Sequence, residues 1–283
     1  MTNFRRIDQC GSLRCLPPNR FLCHCPLNCD HVSSFCPIMP IPQRATFPTD
    51  RPDLNVLVTD DGSRTLLRTG TSDSFHSGCG ALSETRHVYL HNSGVAERLA
   101  HQRPTRVLEI GLGTAMGMIV TIGEAIHCDS EIDYVALETD WIAATTMQHL
   151  NPHEWTQESD LVDRYLDFRR SISTPVQPGR YQWAFDRLRR LRVDVADAAK
   201  WRPGEEAAFD AIYYDPFCPE SAPQLWSSDC FRQMKSAITA TGTLTTYSCS
   251  RAVRDALAEA GWSVDRVAGP VGGKREVLIA RPQ

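Results

Sequence analysis

The chain has 283 residues, room for one large domain or two small ones. Its hydrophobic content of 42% supports an ordinary buried core, and no apolar run approaches the roughly 18 residues that a membrane span needs. A formal net charge of −4 provides no global attraction for nucleic acid or anionic lipid, so any nucleic-acid contact must come from a local patch. The N-terminus lacks the unbroken apolar stretch of a secretory signal, and a cytoplasmic protein is expected.

Residues 1–50 form a separate compositional zone, rich in proline and without helical or alternating periodicity. Six cysteines lie there, at positions 10, 15, 23, 25, 29 and 36. With His24 and His31 they raise a zinc hypothesis, but the spacing matches none of the usual C-x2-C pairs, and no metal ligands are assigned. Disorder is the expected state, and Met39 is an alternative start. Residues 51–103 read as an N-terminal extension. In it Asn55–Thr59 and Arg64–Arg68 form a β-hairpin about Asp61-Gly62-Ser63, followed by a helical stretch that begins at Ser83–Val88 and ends near Ser93-Gly94, and by a second helix over Val95–Gln102. Residues 104–283 then alternate strands and helices. Strands are predicted at Arg106–Ile110, Asp133–Glu138, Leu191–Val195, Phe209–Asp215 and Gly242–Tyr247. Helices are predicted at Ala115–Ile126, Phe231–Ile238 and Arg251–Ala260, with a closing strand pair at Ser263–Val267 and Glu276–Ala280. This order implies an α/β fold, a doubly wound, Rossmann-like sheet covered on both faces.

The first chemical motif is Glu109-Ile110-Gly111-Leu112-Gly113-Thr114, a glycine turn between a strand and a helix. Such a turn lets backbone approach a nucleotide-like ligand closely, and the next strand ends on an acid, Glu138, as a ribose partner should. A packing turn and a chance acidic strand end would look similar. The carboxylate of Glu109 beside the glycines would repel a pyrophosphate but suits a sulfonium carrying an ammonium group, which favours S-adenosylmethionine. The second motif is Tyr213-Tyr214-Asp215-Pro216-Phe217, at a strand end where ligands of open α/β sheets sit. A carboxylate there can orient an amine lone pair, and the ring can pack on a planar base or a cation. An ordinary strand-ending turn is the alternative. The third is a run of eight arginines at positions 164, 169, 170, 180, 187, 189, 190 and 192, interleaved with Tyr181, Trp183 and Phe185. It reads as an RNA-facing surface or, slightly favoured, as a solvated helix face paired with Glu154, Glu158, Asp160 and Asp163.

These stretches resemble the methyltransferase half of the bacterial bifunctional tRNA 5-methylaminomethyl-2-thiouridine biosynthesis family and its stand-alone relatives. The matching text is Asp61–Leu66, Phe75–Ser77, Gly80–Tyr89, Val107–Thr114, Phe209–Pro219 with Pro223–Trp226, and Gly272–Leu278. The resemblance implies a class I S-adenosylmethionine-dependent methyltransferase fold and N-methylation of the aminomethyl group of a wobble uridine in tRNA. The family's essential aspartate falls on Asp215. Cofactor candidates are Glu109, Gly111, Gly113, Glu138 and Asp194, and substrate candidates are Pro216, Phe217, Lys274 and Arg275. Four departures stand out. Ala115 replaces the usual third glycine, with Gly117 two residues on; an insert spans about 151–190; the cysteine-rich start is atypical; and no flavin-dependent oxidase half is read in this chain. A small-molecule amine methyltransferase, an aminopropyltransferase-like enzyme and a non-catalytic binding module on the same fold are the alternatives. Oligomeric state is not readable.

Overall fold

A computed structural model describes residues 44–204 and 208–283. The zinc and Met39 readings therefore lie outside the described residues. Order begins earlier than the composition predicted. Strand β1 (Thr46–Pro48) lies inside the zone read as irregular, because it pairs antiparallel with β2 (Leu54–Val58). The predicted hairpin is present: β2 pairs with β3 (Arg64–Arg68), Val58 opposite Arg64. Asp61 ties the turn together. Its Oδ1 accepts from the Ser63 amide and from the Ser63 and Thr59 hydroxyls, and its Oδ2 accepts from the Ser83 amide at 3.0 Å.

That last bond anchors a helix that changes its winding. Helix α1 (Ala81–Glu84) continues directly as a π-helix over Thr85–His91. Single π turns are rare and concentrate at functional sites. Helix α2 (Val95–Ala100) leads into the alternating region: β4 (Thr105–Ile110), α3 (Met116–His127), β5 (Ile132–Glu138), α4 (Ala144–Gln148) and α5 (Ser159–Arg170). Then come β6 (Gly179–Ala184), β7 (Arg189–Val195), β8 (Phe209–Tyr214), α6 (Ser228–Lys235) and β9 (Ile238–Thr246). The chain closes with α7 (Arg251–Glu259), β10 (Trp262–Ala268) and β11 (Glu276–Pro282). Helix α6 starts three residues before the prediction, because Ser227 caps it by accepting from the Cys230 amide. It also stops at Lys235, and Ile238 opens β9 instead.

The large sheet has the order β10-β11-β9-β8-β4-β5-β7-β6. Strands β9, β8, β4, β5 and β7 run parallel; β11 and β6 pair antiparallel to the parallel set. Strand order reverses between β4 and β8, which makes a crevice at their carboxyl ends. One apolar layer joins α2, α3 and α5 to Val107, Tyr134, Leu191 and Val193; the other joins α6 and α7 to Leu108, Ile212 and Leu244. No helix among the described residues is long and apolar enough to cross a membrane.

The arginine-rich insert is structural. It supplies α5, where the helix of the favoured reading is present, and the edge strand β6, which was not read from the sequence; its aromatics pack inward. Trp183 stacks on Phe168 at 5.9 Å and Tyr181 meets Trp141 edge-on at 5.6 Å. Six of the eight arginines are in ion pairs, as the favoured reading held, but mostly with other acids. Arg189 bonds Asp129 and Asp186, Arg190 bonds Glu131 and Asp133, and Arg180 bonds Asp194. Of the four predicted acids, only Asp160 reaches one of these arginines, Arg164. Arg169 is fully buried and donates to the carbonyls of Trp141, Ile142 and Ile172.

Candidate active site

The glycine turn and the aspartate motif meet at the reversal of strand order. Strands β4 and β8 are hydrogen-bonded neighbours, and the Asp215 amide donates to the Ile110 carbonyl at 3.0 Å. Gly111 follows with φ of 91°, and a Cβ there would stand 2.7 Å from the Asp215 carbonyl oxygen. Both the backbone conformation and the close approach therefore require glycine. The two loops open onto a cavity of about 670 Å³. Seven carboxylates line it against two cations, Arg68 and Lys274. His76 also lines it, and burial depresses its pKa to about 4.

Glu109 is the last-but-one residue of β4 and is 3% exposed, with Oε2 buried and without a hydrogen-bond partner. Burial, then the charges of Asp215 and Glu138, push its pKa well above the usual carboxylate range; Tyr134 opposes them. Gly117, on the first turn of α3, packs against it: a Cβ there would come within 2.4 Å of Glu109 Oε1. Ala115 is different. It adopts the left-handed conformation with φ of 64°, and its side chain is buried in the core rather than lining the cavity. The close-approach role that the sequence seeks at position 115 thus falls to Gly117.

Glu138 ends β5 and folds back over the glycine turn. Its Oε2 accepts from the Gly113 amide at 2.9 Å, and its Oε1 accepts from the amides of Thr139 and Asp140. One acceptor site remains, on Oε2, so the carboxylate can both fix the turn and hold a ribose hydroxyl. Gly113 is covered by Phe75, whose Cδ1 would lie 3.2 Å from an added Cβ.

On the opposite wall, the Tyr89 hydroxyl donates to Asp215 Oδ1 at 2.5 Å. Burial pushes the Asp215 pKa well above the usual range, with Glu84 adding to the rise and Tyr89 and Lys274 opposing it. Glu84, 6% exposed, is likewise raised by burial, and its Oε1 accepts from the Ser77 amide at 2.9 Å. The Lys274 ammonium sits 4.0 Å from the ring centre of Tyr247, whose hydroxyl donates to the Pro216 carbonyl. Phe217 is held between the Arg68 guanidinium, at 4.2 Å, and the edge of Phe75, at 5.1 Å.

Eight of the predicted site residues line this one cavity: Glu109, Gly111, Gly113, Glu138, Asp215, Pro216, Phe217 and Lys274. Two do not. Asp194 lies within β7 and is taken by Arg180 and Arg192; Asp197, past the strand end, lines the cavity instead. Arg275 is exposed beside Lys274 and does not line it. The sequence reading missed Glu84, Tyr89, Phe75 and Gly117 as wall residues. The Glu84–Tyr89 separation fits the wider π winding, which a 3.6-residue period does not reveal. Among the described residues no cluster of His, Cys, Asp and Glu could hold a metal ion.

Sequence and structure comparisons agree with this picture. Residues 167–283 match a family described as S-adenosyl-L-methionine-dependent methyltransferase. The chain is 29% identical over 225 residues to the tRNA 5-methylaminomethyl-2-thiouridine biosynthesis bifunctional protein MnmC of Burkholderia multivorans, covering 78% of this chain and 33% of that protein. The Burkholderia thailandensis protein of the same name is 29% identical over 214 residues, covering 73% and 32%. The chain thus spans about a third of the length of the curated relatives it matches. In fold it is similar to MNMC2 from Aquifex aeolicus, with a TM-score of 0.65 and 23% identity over 83% of this chain and 72% of that one. The class I methyltransferase fold and the family resemblance read from the sequence are both borne out.

Proposed function

We propose that this S-adenosylmethionine-dependent methyltransferase acts on a primary amine, the aminomethyl nitrogen of a modified wobble uridine in tRNA, in the cytoplasm. The observation that carries the reading is the charge of the cavity: seven carboxylates face two cations at the switch point of the sheet. A polyphosphate cofactor or a phosphorylated small substrate would be repelled there, whereas two cations, a sulfonium amino acid and an alkylammonium, are favoured.

The residues fit the cofactor. The unpartnered Glu109 Oε2 calls for a donor, and the ammonium group of S-adenosylmethionine supplies one. Glu138 is placed for the ribose, the Gly111 and Gly113 backbone permits close approach, and Asp197 is available to the base. When bound, the cofactor supplies an electrophilic methyl carbon. Displacement at such a carbon asks the protein mainly for positioning. Asp215 orients the acceptor nitrogen, Tyr89 and Pro216 fix the direction of that carboxylate, and Phe217 packs on the acceptor's ring. A primary alkylamine has a pKa near about 10 and must be held neutral at the moment of attack.

The tRNA assignment is supported by the names of the relatives. The net charge and the acidic cavity require the phosphates to stay outside, so Arg275 at the rim is assigned to the nucleic acid rather than to the cavity. Of the alternatives, the binding-module reading loses its motive, because the Ala115 methyl does not enter the cavity. The test is transfer of tritiated methyl from S-adenosylmethionine to tRNA carrying the unmethylated aminomethyl group, followed by nucleoside analysis. Label in the 5-methylaminomethyl nucleoside is expected. Label in another nucleoside, or none with a cofactor-binding protein, overturns the substrate.

A further inference from the structure

We propose that Glu84 is a second acceptor-holding carboxylate: with Asp215 it seats the incoming amine as an ammonium ion and keeps one of its protons while the methyl group is transferred. This inference rests on the amine-methylation reading above and names the partner that completes the amine site.

Glu84 is almost fully buried, yet it lines the cavity at the junction of α1 and the π-helix. Its one protein hydrogen bond comes from the Ser77 amide, and neither Glu84 nor Asp215 makes an ion pair among the described residues. A buried carboxylate without a counter-ion is costly, and a second one on the same cavity, whose charge Asp215 feels, adds to that cost. Lys274 offsets part of that charge from its perch on Tyr247. The remainder matches one alkylammonium. The π winding brings Tyr89 to the same wall, where its hydroxyl occupies Asp215 Oδ1 and leaves Oδ2 for the substrate.

The proton account closes within the site. The ammonium gives one proton to the carboxylate pair, which frees a lone pair on nitrogen. The nitrogen–carbon bond forms as the carbon–sulfur bond breaks, and that bond's electrons stay on sulfur. The product nitrogen is a secondary ammonium, still held by the pair. One proton is released overall. Besides each other, Tyr89, Tyr134, Tyr247, Lys274 and Glu109 are the titratable groups that feel the pair's charge; His76, also on the cavity wall, stays neutral above its depressed pKa of about 4.

Glu84→Gln is the sharp variant, since its amide oxygen can still accept from Ser77. Two readouts separate this inference from the substrate reading. The first is calorimetric binding of 5-aminomethyluridine, with 5-methyluridine as the amine-free control, to protein saturated with S-adenosylhomocysteine. The parent should prefer the amine at least tenfold, and Glu84→Gln should lose that preference with unchanged cofactor affinity and melting temperature. The second is kcat/KM for tRNA methylation against pH: the acidic limb should move in Glu84→Gln and return in part in Glu84→Asp. If Glu84→Gln keeps the amine preference and the parental pH limb, the seat is wrong. Amine preference that depends on Glu84 in a parent that methylates no tRNA would instead overturn the tRNA reading and leave the seat standing.

Discussion

Gly117 and Ala115 show how two neighbouring small residues do different work. A methyl at 117 would occupy the space of Glu109 Oε1, so Gly117→Ala should displace the carboxylate and weaken S-adenosylmethionine binding on the order of tenfold, about 1.4 kcal/mol. Ala115→Gly should leave that affinity unchanged, because the residue faces the core. Calorimetry on the pair checks both. Glu109 adds a pH signature. Its pKa is raised in the free protein, and a bound ammonium favours the ionised form, so cofactor affinity should fall as pH drops through that raised value. Glu109→Gln should flatten the dependence. For stability the sign is opposite. A carboxyl that holds its proton more tightly when folded favours the fold below its unfolded pKa, and that contribution is lost as pH climbs toward the raised one. At this scale the sequence was legible where chemistry and strand end coincide, as at Asp215 and Glu138. It was not legible at Asp194, where an acidic residue of the right strand turns out to neutralise Arg180.

The N-terminal hairpin anchors the helix that supplies the cavity wall of Glu84 and Tyr89. Asp61 binds its own turn and the Ser83 amide in the first turn of the helix that carries Glu84 and Tyr89. Burial works to raise its pKa, but the Ser63 and Thr59 hydroxyls and the Ser83 and Ser63 amides outweigh it and hold it at about 2. Its contribution is therefore present above the ordinary carboxylate pKa of about 4 and is lost as pH falls toward about 2. Asp61→Ala should cost about 1–2 kcal/mol at neutral pH, and the melting temperatures of variant and parent should converge through that acidic window. The central strands were legible because short apolar runs bounded by turns have few other readings. Strand β6 was not, since it is an exposed edge whose polar positions and arginines read as a solvated face. The π-helix was read only as a helix, because its winding shows in no period-3.6 pattern.

For the molecule as a whole, charge decides what goes where. The interior of the site is acidic, the net charge is −4, and most of the arginine run is occupied by ion pairs and carbonyls, as the favoured reading of it held. On the proposed tRNA reading, nucleic acid is met by scattered rim cations such as Arg275. Arg275→Ala should raise the KM for tRNA and lower the slope of log affinity against log salt by about one, while leaving cofactor binding intact. An unchanged salt slope would remove Arg275 from the tRNA surface. The fold class was readable from the alternation of elements. The acidity of the cavity was not, because its carboxylates come from segments as distant as Asp73 and Asp215 and meet only in the folded chain.

The central claim is that Asp215 orients an amine toward a methyl group held by other residues. Asp215→Asn keeps volume and one acceptor oxygen but removes the charge. Measured side by side with the parent, it should bind S-adenosylmethionine nearly as well and methylate tRNA about two to four orders of magnitude more slowly. Methyl transfer at the parental rate, or loss of cofactor binding in a folded variant, would contradict the account.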